Sequence, residues 1–159
     1  MSERTMVAPT ASPGHKPPSA VQASAAWWVT AVAAGVVETI GTVAVLANDG
    51  EAIGPLLAGV GVRAVVYTVV LLVVAAFWRG RRWARIALGL GLGVVGMLSL
   101  VADPISWLAD GNSLGDALGS ADLQLALVIA IRTLHVVAVV MACVLMFRPA
   151  ANRYFRRAG

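Results

Sequence analysis

Four ionisable side chains lie inside long apolar runs: Glu38, Arg63, Arg132 and His135. A charge at the centre of a membrane helix costs ~2.5–3.5 kcal/mol even on the mildest insertion scale, so such a group should face other helices and find a partner there. At a helical rise of ~1.5 Å per residue, Glu38 lies ~14 Å before Ala47, Arg63 ~11 Å after Leu56, and Arg132 ~14 Å after Leu123. Those three residues bound their runs at one and the same membrane face, so three charges from three helices fall in a single layer. Tyr67 follows Arg63 by four residues and His135 follows Arg132 by three, spacings that put each pair on one helix face. Thr42 sits one turn beyond Glu38. A carboxylate among guanidinium forks, a phenol and an imidazole can satisfy most of its lone pairs. Glu38 is therefore expected to be ionised and paired with Arg63, Arg132 or both. One acid against two arginines leaves a positive excess for an anion, a lipid headgroup, water or another subunit to balance.

This layer has several chemical readings. It can be a structural polar network that holds a bundle together. It can be an anion or substrate site, a charged contact to a partner membrane protein, or a proton relay through Glu38 and His135. A haem or metal role for His135 is a poor fit, since the other histidine, His15, lies in an N-terminal stretch rich in proline. Cys143 is the single cysteine, which excludes an internal disulfide and any Cys-x-x-Cys site. The acidic stretch from Asp103 to Asp122 lacks the spacing of a calcium loop. No phosphate-binding glycine loop, nucleophile elbow or His-Glu-x-x-His run is present. The sequence thus points to no catalytic residues, no metal and no cofactor, and to a chain that is not an enzyme.

The elements that must position these groups follow from composition. Of 159 residues, 59% are hydrophobic and 13% charged, against ~45–50% and ~25% in a soluble domain. A small soluble domain could not hide that much apolar surface. Four runs are long enough for a ~30 Å hydrocarbon core: 27–47, 56–78, 84–102 and 123–147. None alternates with the two-residue period of a barrel strand, so helices must satisfy the backbone in lipid. The fold expected is all-α, a polytopic bundle of four transmembrane helices over residues 27–147. In the third run Gly89 and Gly93 have the G-x-x-x-G spacing that lets helices approach closely. Internal packing is the first use of that face and a dimer contact the second.

Charge placement sets the expected direction. Basic residues gather before the first run, in the RGRRWAR loop at 79–85, and after Phe147; Asp49, Glu51 and the four aspartates of 103–122 gather on the other side. Basic loops stay in the cytoplasm, so both termini are expected to be cytoplasmic. Trp27, Trp28, Phe77, Trp78, Trp83, Phe147, Tyr154 and Phe155 cluster on the same side, as interfacial anchors do. Residues 1–26, with four prolines, are expected to form a disordered cytoplasmic tail, and 148–159 a basic cytoplasmic tail. The segment 103–122 is expected to be an acidic outer loop with a short interfacial helix. The pI near 10.2 comes from arginines beside the membrane and so calls for no nucleic-acid partner. The expected partner is the lipid bilayer, and a homo-oligomer or a larger membrane complex stays open.

The stretch GRRWARIALGLGLG at 80–93 resembles a hairpin of small four-helix integral membrane proteins of actinobacteria. There a Gly-Arg-x-Trp-Ala-Arg stretch leads into a third helix rich in small residues. The resemblance covers about fifteen residues and the helix count. It implies a multi-pass protein of a bacterial plasma membrane and brings no activity with it. Glu38 also resembles the membrane-embedded glutamate in the first helix of small multidrug resistance transporters, which would imply proton-coupled export of cations. Two arginines at its level, a large outer loop and a steep charge bias depart from that pattern. The expected function is a non-enzymatic accessory or structural membrane component. The alternative is a small transporter or anion-binding protein that uses the same layer.

Overall fold

A computed structural model describes residues 16–50, 52–113, 115, 119 and 123–158. The described residues form helices and no strand. Helix α1 spans Ser19–Asn48, α2 Ile53–Trp78, α3 Arg82–Leu90, α4 Met97–Ala109, α5 Leu123–Met146 and α6 Pro149–Ala158. A π-helical turn, Gly91–Gly96, joins α3 to α4 into one continuous third span. The four spans are long and apolar enough to cross a membrane, and they form an all-α membrane-spanning bundle.

Two span ends have a clear local cause. The α2 stop is a Schellman turn: Gly80 at φ +83° donates its N–H to the Phe77 carbonyl at 2.9 Å, and Arg81 donates to Ala76 at 3.1 Å. Only glycine takes that backbone conformation without strain. At the start of α1, Pro17 and Pro18 end the irregular chain, and the Pro18 carbonyl accepts the N–H groups of Val21 and Gln22. Helix α1 therefore starts at Ser19, eight residues before the expected boundary at Trp27. Ala20, Val21, Ser24 and Ala25, assigned by composition to a disordered tail, are helical and buried. Residues 1–15 of that tail lie outside the described residues.

The third span also outruns its expected limits, reaching Ala109 instead of Ala102. Pro104 stands inside α4. It removes one ladder bond, but lipid offers the remaining backbone groups no other partner, so the helix continues. The basic segment after Phe147 is likewise helical. Pro149 fills the first helical position, where a missing N–H costs nothing, and Ala151 and Phe155 turn inward while Arg153 and Arg156 stay exposed.

Helix α1 is the centre of the packing, lying most extensively against α5 and next against α2. The third span touches α2 and α5 and is the least buried of the four. The core is confined to the end of the bundle that carries the arginines. Trp28, Phe77, Leu88 and Met146 are fully enclosed there, with Ala84, Ala138 and Ala142 between them. Small residues bring the backbones close, and close packing rather than water exclusion holds helices together in lipid. The position of Trp28 and Phe77 corrects the expectation of interfacial anchors for those two rings: both are core residues with no exposed surface. Trp78, Trp83 and Phe147 do remain exposed. Beyond the core, no described residue in 36–48, 53–69, 89–109 or 123–137 is buried.

Candidate functional site

The inward faces of three helices can be followed out of the core toward the other end of the bundle. On α1 the buried stripe Val21, Trp28, Ala31, Val32 and Gly35 leads, one turn on, to Glu38 and Thr39. On α5 the stripe Met146, Ala142, Ala138 leads back to His135 and Arg132. On α2 the stripe Phe77, Val74, Val70 leads back to Tyr67 and then Arg63. The polar side chains other than Arg63 thus stand on the interior faces at the level where tight packing ends.

Glu38 stands between a guanidinium and an imidazole of α5. Its Oε1 is 3.8 Å from Arg132 Nε, and its Oε2 is 3.6 Å from His135 Nδ1. Both separations exceed the hydrogen-bond range of 2.7–3.2 Å. Glu38 Oε1 and His135 Nδ1 are buried atoms with no hydrogen-bond partner. The side chains themselves are 22% (Glu38), 37% (Arg132) and 14% (His135) exposed. The arrangement is an unfinished polar network: charges are matched, hydrogen bonds are not.

Beside it lies a finished one. The Tyr67 hydroxyl donates to the Gly35 carbonyl at 2.7 Å and meets Thr39 Oγ1 at 2.9 Å; Thr39 in turn donates to the same carbonyl at 2.9 Å. A β-carbon at Gly35 would stand 3.0 Å from the Tyr67 hydroxyl and 3.3 Å from His135 Cε1. Glycine at this point lets α2 and α5 close on α1 from both sides. Gly35 and Thr39 escaped the sequence reading. Their signal is the helical spacing from Trp28 through Ala31 and Gly35 to Thr39, which marks one face of α1.

The expected set is thus divided. Glu38, Arg132, His135 and Tyr67 come together around Gly35. Arg63 does not join them: its side chain is exposed, its Nη1 lies back over Gly59 of its own helix, and it has no ion pair among the described residues. Of the partners expected for Glu38, Arg63 or Arg132 or both, Arg132 stands within ion-pair distance; equal depth does not bring Arg63 into contact where the packing of α2 has ended. Thr42 donates to the Glu38 main-chain carbonyl at 2.9 Å rather than to its carboxylate. Gly89 and Gly93 face α5, with added β-carbons falling 3.4 Å from Met146 Cε and 2.9 Å from Cys143 Sγ. Among the described residues no group of three His, Cys, Asp or Glu side chains gathers around one point.

Chemically, this layer can accept a polar group that completes the missing hydrogen bonds. The described residues around it include no cysteine or serine nucleophile. No family model matches the chain, and neither a curated protein nor a solved structure matches it significantly.

Proposed function

We propose that this chain is a non-enzymatic accessory component of a bacterial plasma membrane, with both termini in the cytoplasm. It works by assembling with another membrane-embedded chain at the Glu38–Arg132–His135 layer. The observation that carries this reading is the pair of buried atoms, Glu38 Oε1 and His135 Nδ1, left without hydrogen bonds. A network serving packing alone gains most when every member is satisfied, and a half-satisfied one costs more than an apolar contact. A polar group from a second chain, meeting the partly exposed Glu38 and Arg132 side chains, would draw the network into a satisfied arrangement. The unburied inward faces beyond the core leave room for such a chain. The steep arginine bias and the hairpin at 80–93 support the orientation and the bacterial membrane.

One observation favours a second reading, a small anion-binding or transport protein. Arg63 adds a positive charge at the same depth with no carboxylate beside it. Export of cations is the less favoured form of transport, because Arg132 against Glu38 would repel a cationic cargo.

Native mass spectrometry of the protein extracted in mild detergent tests the proposal. The expected result is a mass above the monomer, from a second copy or a different membrane protein, that falls to the monomer in Glu38→Gln. A wild-type chain that stays monomeric and moves an anion into liposomes overturns it in favour of the second reading.

A further inference from the structure

A second site lies away from this layer, where the third span meets α5 and α6. A cavity of 860 Å³ opens there, with Arg82, Arg85 and Arg156 at one end and Gly89, Gly93 and Val94 along its length. Its volume is that of a ligand pocket rather than a packing defect. Gly89 and Gly93 lie on its floor, and Ile86, Leu90 and Val94 of the third span with Cys143 and Phe147 of α5 form its apolar walls, so that a trough runs from the arginines along the helices.

The arginine end is held in place. Arg82 donates to the main-chain carbonyls of Phe155 and Arg156 at 2.8 and 3.1 Å, so its guanidinium closes the last turn of α6. Arg85 donates to Asn152 Oδ1 and stacks its guanidinium over Phe147 at 4.5 Å and Phe155 at 5.5 Å. Its Nε is buried and has no hydrogen-bond partner. Arg156 stands exposed at the rim. Among the described residues the ion pairs are both at Glu38, so this cluster of guanidiniums has no carboxylate of its own.

We propose that this cavity binds an anionic phospholipid, its phosphodiester among Arg85, Arg156 and the free edge of Arg82, and one acyl chain along the glycine trough. Charge complementarity selects the headgroup. Guanidiniums match phosphate oxygens through paired N–H donors, and basic pockets between membrane helices on the positively charged side are suited to such headgroups. The form of the cavity selects a lipid over a free anion. Polar donors crowd one end, and the rest is apolar and runs parallel to the helices, as an acyl chain does. The cavity lies between the third span, α5 and α6, so a bound lipid touches all three.

The test is native mass spectrometry of the full chain in detergent, titrated with dioleoyl phosphatidylglycerol, dioleoyl phosphatidylcholine or inorganic phosphate. The expected result is one phosphatidylglycerol retained at least tenfold more strongly than phosphatidylcholine, with no competition from millimolar phosphate. Arg156→Gln, which removes no contact within the fold, is expected to weaken retention about tenfold. Arg153→Gln, on the same helix outside the cavity, is expected to leave it unchanged. Gly89→Leu, filling the trough, is expected to abolish retention of the two-chain lipid. Equal retention of the two lipids, equal loss in Arg153→Gln and Arg156→Gln, or displacement by phosphate alone would each overturn the proposal; the last would leave a simple anion site.

Discussion

The Gly35 carbonyl accepts the Tyr67 hydroxyl at 2.7 Å, across a contact in which an added β-carbon would meet that same hydroxyl at 3.0 Å. The hydrogen bond and the close approach depend on each other. Gly35→Ala gains ~1 kcal/mol of helix propensity but overpacks the contact at a cost of ~1–3 kcal/mol. A net loss is expected, with a lower Tm in detergent. Gly41→Ala, where nothing stands within 4 Å of the added carbon, is expected to hold or raise the Tm. Equal shifts in the two variants would mean that α1 and α2 do not meet at Gly35.

Glu38 and Arg132 form the charge pair of the intramembrane layer. Removing one partner of a fully buried pair costs ~3–5 kcal/mol, and an exposed pair contributes ~0–1 kcal/mol. At 22% and 37% exposure, Glu38→Gln is expected to fall between these, at about 1–3 kcal/mol. Arg63→Gln, at an exposed side chain without an ion pair, is expected to stay within about 0.5 kcal/mol. Thermal melts of Glu38→Gln, Arg132→Gln and the double variant check this. Additive losses would show that the two side chains do not interact.

Ser24 is fully enclosed and donates its hydroxyl to the Ala142 carbonyl at 2.8 Å. Ser24→Ala is expected to lose about 1 kcal/mol, the net value of one hydrogen bond. Ser24→Leu is expected to lose more, because the added volume separates α1 from α5. A chain that begins at Trp27 is expected to melt well below one that begins at Lys16, since it lacks the buried turns at Val21 and Ala25. Matching melts of those two chains would return the start of α1 to Trp27.

Orientation can be read with alkaline phosphatase, which folds to an active form only outside the cytoplasm. A fusion after Asn112 is expected to be active and one after Ala158 inactive, following the distribution of arginine. The opposite pattern would reverse the topology and the leaflet in which the arginine cavity lies.

The four spans were legible because lipid imposes its requirement residue by residue, and hydropathy reports it directly. The meeting of Glu38 with Arg132 and His135 was legible for a related reason: depth along a helix is linear in residue number. Depth alone did not choose between Arg63 and Arg132. It does not say whether α2 is still packed at that level, and the structure shows that it is not. The early start at Ser19 was hidden because small residues such as Ala20, Ser24 and Ala25 read alike in a linker and in a tight helix contact. Their helix is set by α5, which lies far away in the sequence. The π-turn at Gly91–Gly96 left a trace in its glycines but none in the hydropathy pattern.

The bond from Ser24 to Ala142 spans 118 residues, and that distance has a meaning in time. Ribosomes add ~5–20 residues per second, so α1 waits roughly 6–24 s for the segment that completes it. For the 94 residues between Glu38 and Arg132, roughly 5–19 s at that rate, Glu38 sits in the translocation machinery or in the bilayer with neither Arg132 nor His135 yet made. The first helix is thus delivered to the membrane with an uncompensated acid, and its retention falls to the insertion machinery or to an escort until the last span arrives.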